Sequence, residues 1–220
     1  MAERPILFSA LMVRAILNGS KTQTRRIVKG AALDWLARDG FTPEFTAAPE
    51  NRLCPHGQPG DQLWVREAWR TAASLDHLSP RAIAARCIDA GYRKPWAPLL
   101  YDADGHRNSE WRGFDTPPKV SEPGKGRPSI HMPRWASRIT LQITGVRVEQ
   151  LQDIGPEDAK AEGCHHDDPC DHTRRSCAEI GCPGPDYRIG FHNLWESING
   201  PDSWVANPWV WVIDFKRITP

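Results

Sequence analysis

Alternation of apolar and polar residues near position 140 constrains the fold more than any other feature of this sequence. Ile139, Leu141 and Ile143 alternate with threonine and glutamine, so an extended segment here has one apolar face. A period of two predicts a half-buried β-strand. A dense apolar run from Trp209 to Ile218 predicts a second strand, and the chain must therefore build a sheet.

Helices are predicted to be short and to lie between the strands. Helical spacing of apolar residues predicts helices at Met12–Leu17 and Phe191–Ile198, and Gly19 is placed to end the first of them. A further short helix is expected at 31–38. The acidic segment Tyr101–Gly105 lacks the later ligands of a calcium loop, so we interpret it as a hairpin turn.

Length and charge fit a globular protein of one elaborated domain or two small ones. The chain has 220 residues and a net charge of +1, so no global field attracts it to nucleic acid, and such binding would need a local patch. No apolar run approaches the length of a membrane span, and Met1–Phe8 does not resemble a signal peptide. We expect a cytoplasmic protein with no membrane partner.

Reactive side chains are concentrated just after the first predicted helix. Lys21, Thr24, Arg25 and Arg26 lie within six consecutive positions. If this segment is extended, residues 21, 23 and 25 share one face and 22, 24 and 26 the other. A tight turn would instead bring Lys21 and Thr24 together, so that a lysine in a dry pocket could activate the threonine hydroxyl. A solvated basic turn is the alternative.

The segment that begins Gly19-Ser20-Lys21-Thr22-Gln23-Thr24-Arg25 resembles a known signature, G-x-K-T-x-T-x-R. That signature belongs to ASCH domains, which are related to the RNA-binding PUA fold. Four further segments match in order: Gly60–Val65, Ile139–Val148, Asp153–Gly163 and Trp211–Lys216. The closest likeness is to the longer ASCH proteins of phage and prophage genomes.

The resemblance implies an α+β fold, a PUA-like small β-barrel with flanking short helices and loop insertions. One ASCH domain would then span 1–220. Its core segments are expected at about 5–28, 58–70, 128–163 and 190–218, with insertions at about 29–57 and 71–127 and a cysteine-rich insertion at 164–188.

The resemblance also implies a reaction. Small bacterial ASCH proteins with the same signature are amidohydrolases that remove the acetyl group from N4-acetylcytidine without a catalytic cofactor. Their catalytic lysine, threonine and glutamate correspond to Lys21, Thr24 and Glu162. In that mechanism Lys21 activates Thr24 for attack on the amide carbonyl, and Glu162 holds the lysine or relays a proton.

Further residues are candidates for binding the modified nucleoside, or a base within RNA or DNA. They are Arg25, Arg26, Trp64, Arg66, Glu67, Trp69, His131, Arg134 and Trp135. In the alternative function, a nucleic-acid-binding module or ribonuclease, Arg25 and Arg26 contact phosphate while Trp64 or Trp69 stacks a base. A third hypothesis is an interaction protein of a phage particle or host-takeover complex.

Four clustered cysteines predict a structural zinc site next to Glu162. Cys164, Cys170, Cys177 and Cys182 lie within nineteen residues, and His165, His166 or His172 could replace one of them as a ligand. Their spacing differs from the paired C-x-x-C of ordinary zinc ribbons, and unliganded surface cysteines are the alternative. Four thiolates would leave no open coordination position, so we expect this zinc to shape the rim of the site and not to catalyse.

Overall fold

The computed structural model describes residues 1–108, 123–164 and 187–218 and has an α+β fold. Strands lie at Glu3–Leu7 (β1), Gln23–Ile27 (β2), Gln62–Arg66 (β3), Trp69–Thr71 (β4), Leu99–Tyr101 (β5), Arg107–Asn108 (β6), Thr140–Gln150 (β7) and Trp209–Ile218 (β8). Helices lie at Ala10–Leu17 (α1), Ala31–Leu36 (α2), Pro43–Ala47 (α3), Pro80–Asp89 (α4), Pro156–Ala161 (α5) and Tyr187–Asn199 (α6). The α+β class is confirmed, whereas a PUA-like barrel stays a prediction.

The chain divides into two compact units, each formed from separate stretches of sequence. Unit 1 contains Met1–Arg14, Gln62–Leu141 and Arg217–Pro220. Unit 2 contains Ala15–Asp61 and Gln142–Lys216. Both units interleave in sequence, so each depends on contacts between residues far apart in the chain.

Unit 1 is built from parallel and antiparallel strand pairs. Strands β1 and β3 pair in parallel from Glu3 to Leu7, while β4, β5 and β6 form an antiparallel sheet in that order. The turn between β5 and β6 confirms the hairpin predicted at Tyr101–Gly105. The apolar core of this unit includes Trp69, Ile83, Leu99, Tyr101 and Met132.

In unit 2, β8 lies between β7 and β2. Strands β2 and β8 are antiparallel, with Gln23 opposite Asp214 and Ile27 opposite Val210. Apolar residues from both faces of β8 are buried, as expected for a central strand. A second core joins β8 to α5 and α6 through Leu151, Ile154, Ala159, Phe191, Trp195, Val210 and Val212.

Glu67, a candidate binding residue, is buried in unit 1 against an arginine. Arg138 donates from Nε to Glu67 Oε1 and from Nη2 to Glu67 Oε2, both at 2.9 Å. The same guanidinium binds Asp104 at 2.9 and 3.0 Å and lies 4.1 Å from the centre of the Tyr101 ring. Glu67 is 1% exposed, so its carboxylate is satisfied inside the protein.

We expect the Arg138→Met variant to lose about 3 kcal/mol of unfolding free energy, because it leaves the buried Glu67 carboxylate without its cation. The matched control is Arg134→Met. Arg134 pairs with Glu3 at 2.6 Å, but both side chains are well exposed, so its loss should cost at most about 1 kcal/mol. Urea denaturation measures both values. Equal losses in the two variants would contradict this interpretation of the Glu67 pair.

Candidate functional site

A buried ion pair between Lys21 and Glu162 lies in unit 2. Lys21 Nζ donates to Glu162 Oε2 at 2.6 Å and to the Glu162 backbone oxygen at 2.9 Å. Each residue is only 2% exposed. Two of the three predicted catalytic residues, 141 positions apart in sequence, therefore meet in the folded chain.

Backbone hydrogen bonds hold both residues in place. Lys21 N donates to the Ala15 oxygen of α1 at 2.9 Å, and Thr22 N donates to the Ala161 oxygen at the end of α5 at 2.8 Å. Lys21 and Glu162 also form an isolated β-bridge. Because Glu162 is the C-cap of α5, the helix end brings its side chain to the lysine.

Gly163 permits this close approach. Its φ is +76°, in the left-handed region that favours glycine. A β-carbon at this position would lie 2.8 Å from the β-carbons of Ala15 and Lys21. A larger residue at this position therefore requires Ala15, Lys21 or the backbone at residue 163 to shift.

A second buried cation, Arg25, shares Glu162 with Lys21. Arg25 Nη1 donates to Glu162 Oε1 at 3.3 Å, and Nη2 donates to Asp158 Oδ2 at 3.0 Å and also to Glu149. Its guanidinium lies 5.6 Å from the centre of the Phe191 ring, and its side chain is fully buried. Arg25 therefore binds three carboxylates inside the protein.

Further charges extend the cluster towards the surface. Arg147 donates to Glu149 at 3.1 Å, to Asp158 at 2.5 Å and to Asp214 at 3.1 Å. Gln23 Nε2 donates to Asp158 at 3.2 Å and to Asp214 at 2.7 Å. Asp158 and Asp214 thus connect the buried pair to partly exposed charges.

Burial has the largest effect on the pKa of Lys21. The loss of water lowers the pKa of the Lys21 ammonium, and the negative charge and hydrogen bond of Glu162 only partly offset this effect. Burial also lowers the pKa of Arg26. For Asp158, burial opposes ionisation, but the hydrogen bond from Gln23 and the charges of Arg147 and Arg25 prevail and lower its pKa.

Thr24, the third predicted catalytic residue, lies in the extended strand β2. The tight turn that would bring it to Lys21 is not formed; residues 23–27 are extended. Gln23 and Arg25 are directed to the carboxylate cluster, so strand alternation places Thr24 on the opposite face. Thr24 is 1% exposed, so its hydroxyl is enclosed by the protein.

The aromatic candidates belong to unit 1 and are largely enclosed. Trp69 is fully buried and packs edge-on against Trp135, with ring centres 6.0 Å apart. Trp64 is 8% exposed, and the Arg66 guanidinium lies 4.7 Å from its ring centre. In this arrangement Trp69 offers no open face to a base.

The remaining candidates in unit 1 lie near the surface. Arg134 Nη2 donates to Glu3 at 2.6 Å, and its Nε donates to the same oxygen at 2.9 Å. His131 is exposed and lines a cavity beside Arg127.

The predicted zinc site falls mostly outside the described residues. Cys170, Cys177, Cys182 and the three neighbouring histidines lie in 165–186, beyond those ranges. Cys164 is partly buried against the apolar core of unit 2. Within the described ranges, no group of three or more His, Cys, Asp or Glu side chains is arranged to hold a metal. Structural zinc stays a prediction.

The sequence did not indicate that Asp158, Arg147 and Glu149 join the cluster of charges around Lys21 and Glu162. Asp158 lies four residues before Glu162, so both occupy one face of α5. Arg147 and Glu149 are two residues apart on β7 and share a face of that strand. These spacings are the signals that could have predicted the cluster.

Comparisons with known proteins identify no relative of this chain. A scan against protein-family models, a search of curated proteins and a search of solved structures each find no match. No helix in the described ranges is long and apolar enough to cross a membrane.

We expect Gly163→Ala to destabilise unit 2 more than Gly19→Ala does. Both glycines have a similar positive φ, +76° and +82°, but a β-carbon at Gly19 would meet no atom within 4 Å. The difference in unfolding free energy should reach about 1–3 kcal/mol, the cost of overpacking at Lys21. Chemical denaturation measures it. Equal destabilisation would show that the close approach of α5 to Lys21 contributes nothing beyond the backbone strain.

The lowered pKa of Lys21 predicts a pH dependence of stability. The unfolded lysine titrates near 10.5, so between the folded and unfolded pKa values the unfolded chain binds more protons. The unfolding free energy contributed by Lys21 should therefore rise with pH across that window. Lys21→Met should remove this rise, whereas Lys29→Met, at an exposed lysine, should retain it. Parallel pH profiles for wild type and Lys21→Met would contradict the shift.

Proposed function

We propose that this chain is an amidohydrolase with an ASCH-type, PUA-like fold. Its substrate would be N4-acetylcytidine or a related modified nucleoside or base. The observation that supports this function most directly is the buried contact of 2.6 Å between Lys21 and Glu162. These are two residues of the triad that the ASCH resemblance implies.

The environment of Lys21 suits a general base. Because burial lowers the pKa of its ammonium, more of the neutral amine is available near neutral pH than for an exposed lysine. Glu162 accepts a hydrogen bond from Nζ and can take up or return a proton. Proton transfers of this kind typically accelerate a reaction by about 10²–10⁴-fold each.

In the proposed reaction, Thr24 Oγ1 attacks the amide carbonyl as its proton passes to Lys21. The carbon–nitrogen bond then breaks, and the departing cytosine amine receives that proton through Lys21 and Glu162. Water hydrolyses the resulting threonine ester and releases acetate. Because β2 is extended and strand alternation places Thr24 on the face opposite the carboxylate cluster, Thr24 and Lys21 must approach each other before this proton can pass. The role of Thr24 therefore needs its own test.

The alternative function, a nucleic-acid-binding module or ribonuclease, assigns Arg25 and Arg26 to phosphate. The fully buried guanidinium of Arg25 already binds Glu149, Asp158 and Glu162. Replacing these partners with a phosphate would expose three carboxylates to a like charge. This arrangement favours the hydrolase over the nucleic-acid reader.

The decisive measurement is chromatographic detection of cytidine released from N4-acetylcytidine. Lys21→Met and Glu162→Gln keep side-chain volume and should each lower turnover by about 10²-fold or more, because each removes a proton-transfer group. Circular dichroism verifies that the variants are folded. Folded wild-type protein with no turnover on this substrate or other N4-acylated cytosines would contradict the hydrolase function and favour the alternative.

Thr24→Val tests the nucleophile, with Thr22→Val as its matched control. Thr22 belongs to the same motif but is exposed, whereas Thr24 is buried. We expect loss of turnover in Thr24→Val only. If Thr24→Val remains active while Lys21→Met does not, water must be the nucleophile and the threonine ester is excluded.

A further inference from the structure

A cavity of about 360 Å³ lies in unit 1, at the start of helix α4. Its charged and polar lining is formed by Asp76, His77, Ser79, Lys125, Arg127 and His131. We call it the α4 cavity. None of these residues takes part in the Lys21–Glu162 cluster.

Arg127 is a buried cation with no carboxylate partner in the described part of the chain. It is 7% exposed, and its Nη2 donates only to the backbone oxygens of Leu75 and Leu78, at 3.2 and 3.0 Å. Its guanidinium lies 5.5 Å from the Trp69 ring centre. The Nε is buried and has no acceptor among the described residues.

Two other largely buried arginines, unlike Arg127, have carboxylate partners within the described ranges. The guanidinium of Arg25 binds three carboxylates, and that of Arg138 binds two. A buried charge without a counter-ion is costly. Arg127 lies in the lining of the α4 cavity, where a ligand could supply the counter-ion.

The surroundings of Arg127 also favour an anion. Lys125, His77 and His131 line the same cavity. Helix α4 begins there at Pro80, and its N-terminus adds partial positive charge. Asp76 is the one acid in the lining, and its carboxylate already accepts the Lys125 backbone N–H at 2.9 and 3.0 Å.

We propose that the α4 cavity binds a phosphate group. Arginine, lysine and the start of a helix together match the charge and multiple acceptors of a phosphate. The volume is at the lower end of that of small-molecule sites, about 300–1,000 Å³, and leaves room for part of the molecule that carries the phosphate. That carrier is either a mononucleotide or the backbone of a nucleic acid. The site is independent of the proposed hydrolase function.

Isothermal titration calorimetry of the full chain tests the site with four probes: inorganic phosphate, cytidine 5′-monophosphate, cytidine and a single-stranded oligonucleotide. We expect saturable binding of the monophosphate that is weakened in Arg127→Gln, whereas any binding of cytidine, the product of the proposed hydrolase, should be unchanged in that variant. Binding of the monophosphate but not the oligonucleotide identifies a mononucleotide site. Preferential, salt-dependent binding of the oligonucleotide identifies a backbone site.

Variants distinguish binding in the α4 cavity from binding by general surface charge. Arg127→Gln and Lys125→Ala should each weaken binding of the tighter probe by roughly tenfold. Lys94→Ala removes an exposed lysine that does not line the cavity and should leave affinity unchanged. If Arg127→Gln does not fold, the double variant Lys125→Ala and His131→Ala, at two exposed residues, decides the question.

Three results would overturn the proposal. The first is no saturable binding of any phosphate-containing probe by folded wild-type protein. The second is unchanged affinity in the folded cavity variants, including the double variant. The third is an equal loss in Lys94→Ala, which would assign binding to diffuse surface charge.

Discussion

The buried Lys21–Glu162 ion pair is the interaction on which the organisation of unit 2 depends. Two charges removed from water are stable only when their geometry is good and their remaining hydrogen-bonding groups are satisfied. Here Nζ binds both the carboxylate and the backbone oxygen of Glu162, and Arg25 binds the other carboxylate oxygen. The outer residues Asp158 and Arg147 connect this charge to the solvent, so β2, β7, β8 and α5 meet at one polar centre.

The sequence predicted the strands around this polar centre and the contact of Lys21 with Glu162, but not the participation of Arg147 and Asp158. The alternation near Ile139 and the apolar run at Trp209 correctly indicated β7 and β8, since a period of two depends only on local pattern. The contact of Lys21 with Glu162 was expected because the ASCH resemblance pairs those positions. Arg147 and Asp158 were missed, because an isolated charge in a sequence is normally solvent-exposed and its partner on another element is not visible in local pattern.

Thr24 and Trp69 show where local reasoning fails. The Lys21–Arg26 segment was compatible with a turn or with a strand, and pairing of β2 with β8 selected the strand. That long-range pairing separates Thr24 from the face of Lys21. Trp69 was a candidate base platform, yet the helix α4 region and the 3₁₀ turns around Met132 and Trp135 enclose it in the core of unit 1. In both cases tertiary contacts decided between local alternatives.

Helix α5 also fixes the angular phase of the acidic groups. Asp158 and Glu162 face the same cations because four residues correspond to slightly more than one helical turn. One inserted residue between them would rotate Glu162 by about 100° relative to Asp158. Lys21 and Arg25 could then no longer share carboxylates from the same helix face. The six-residue helix therefore tolerates substitution at its exposed positions far better than a change in length.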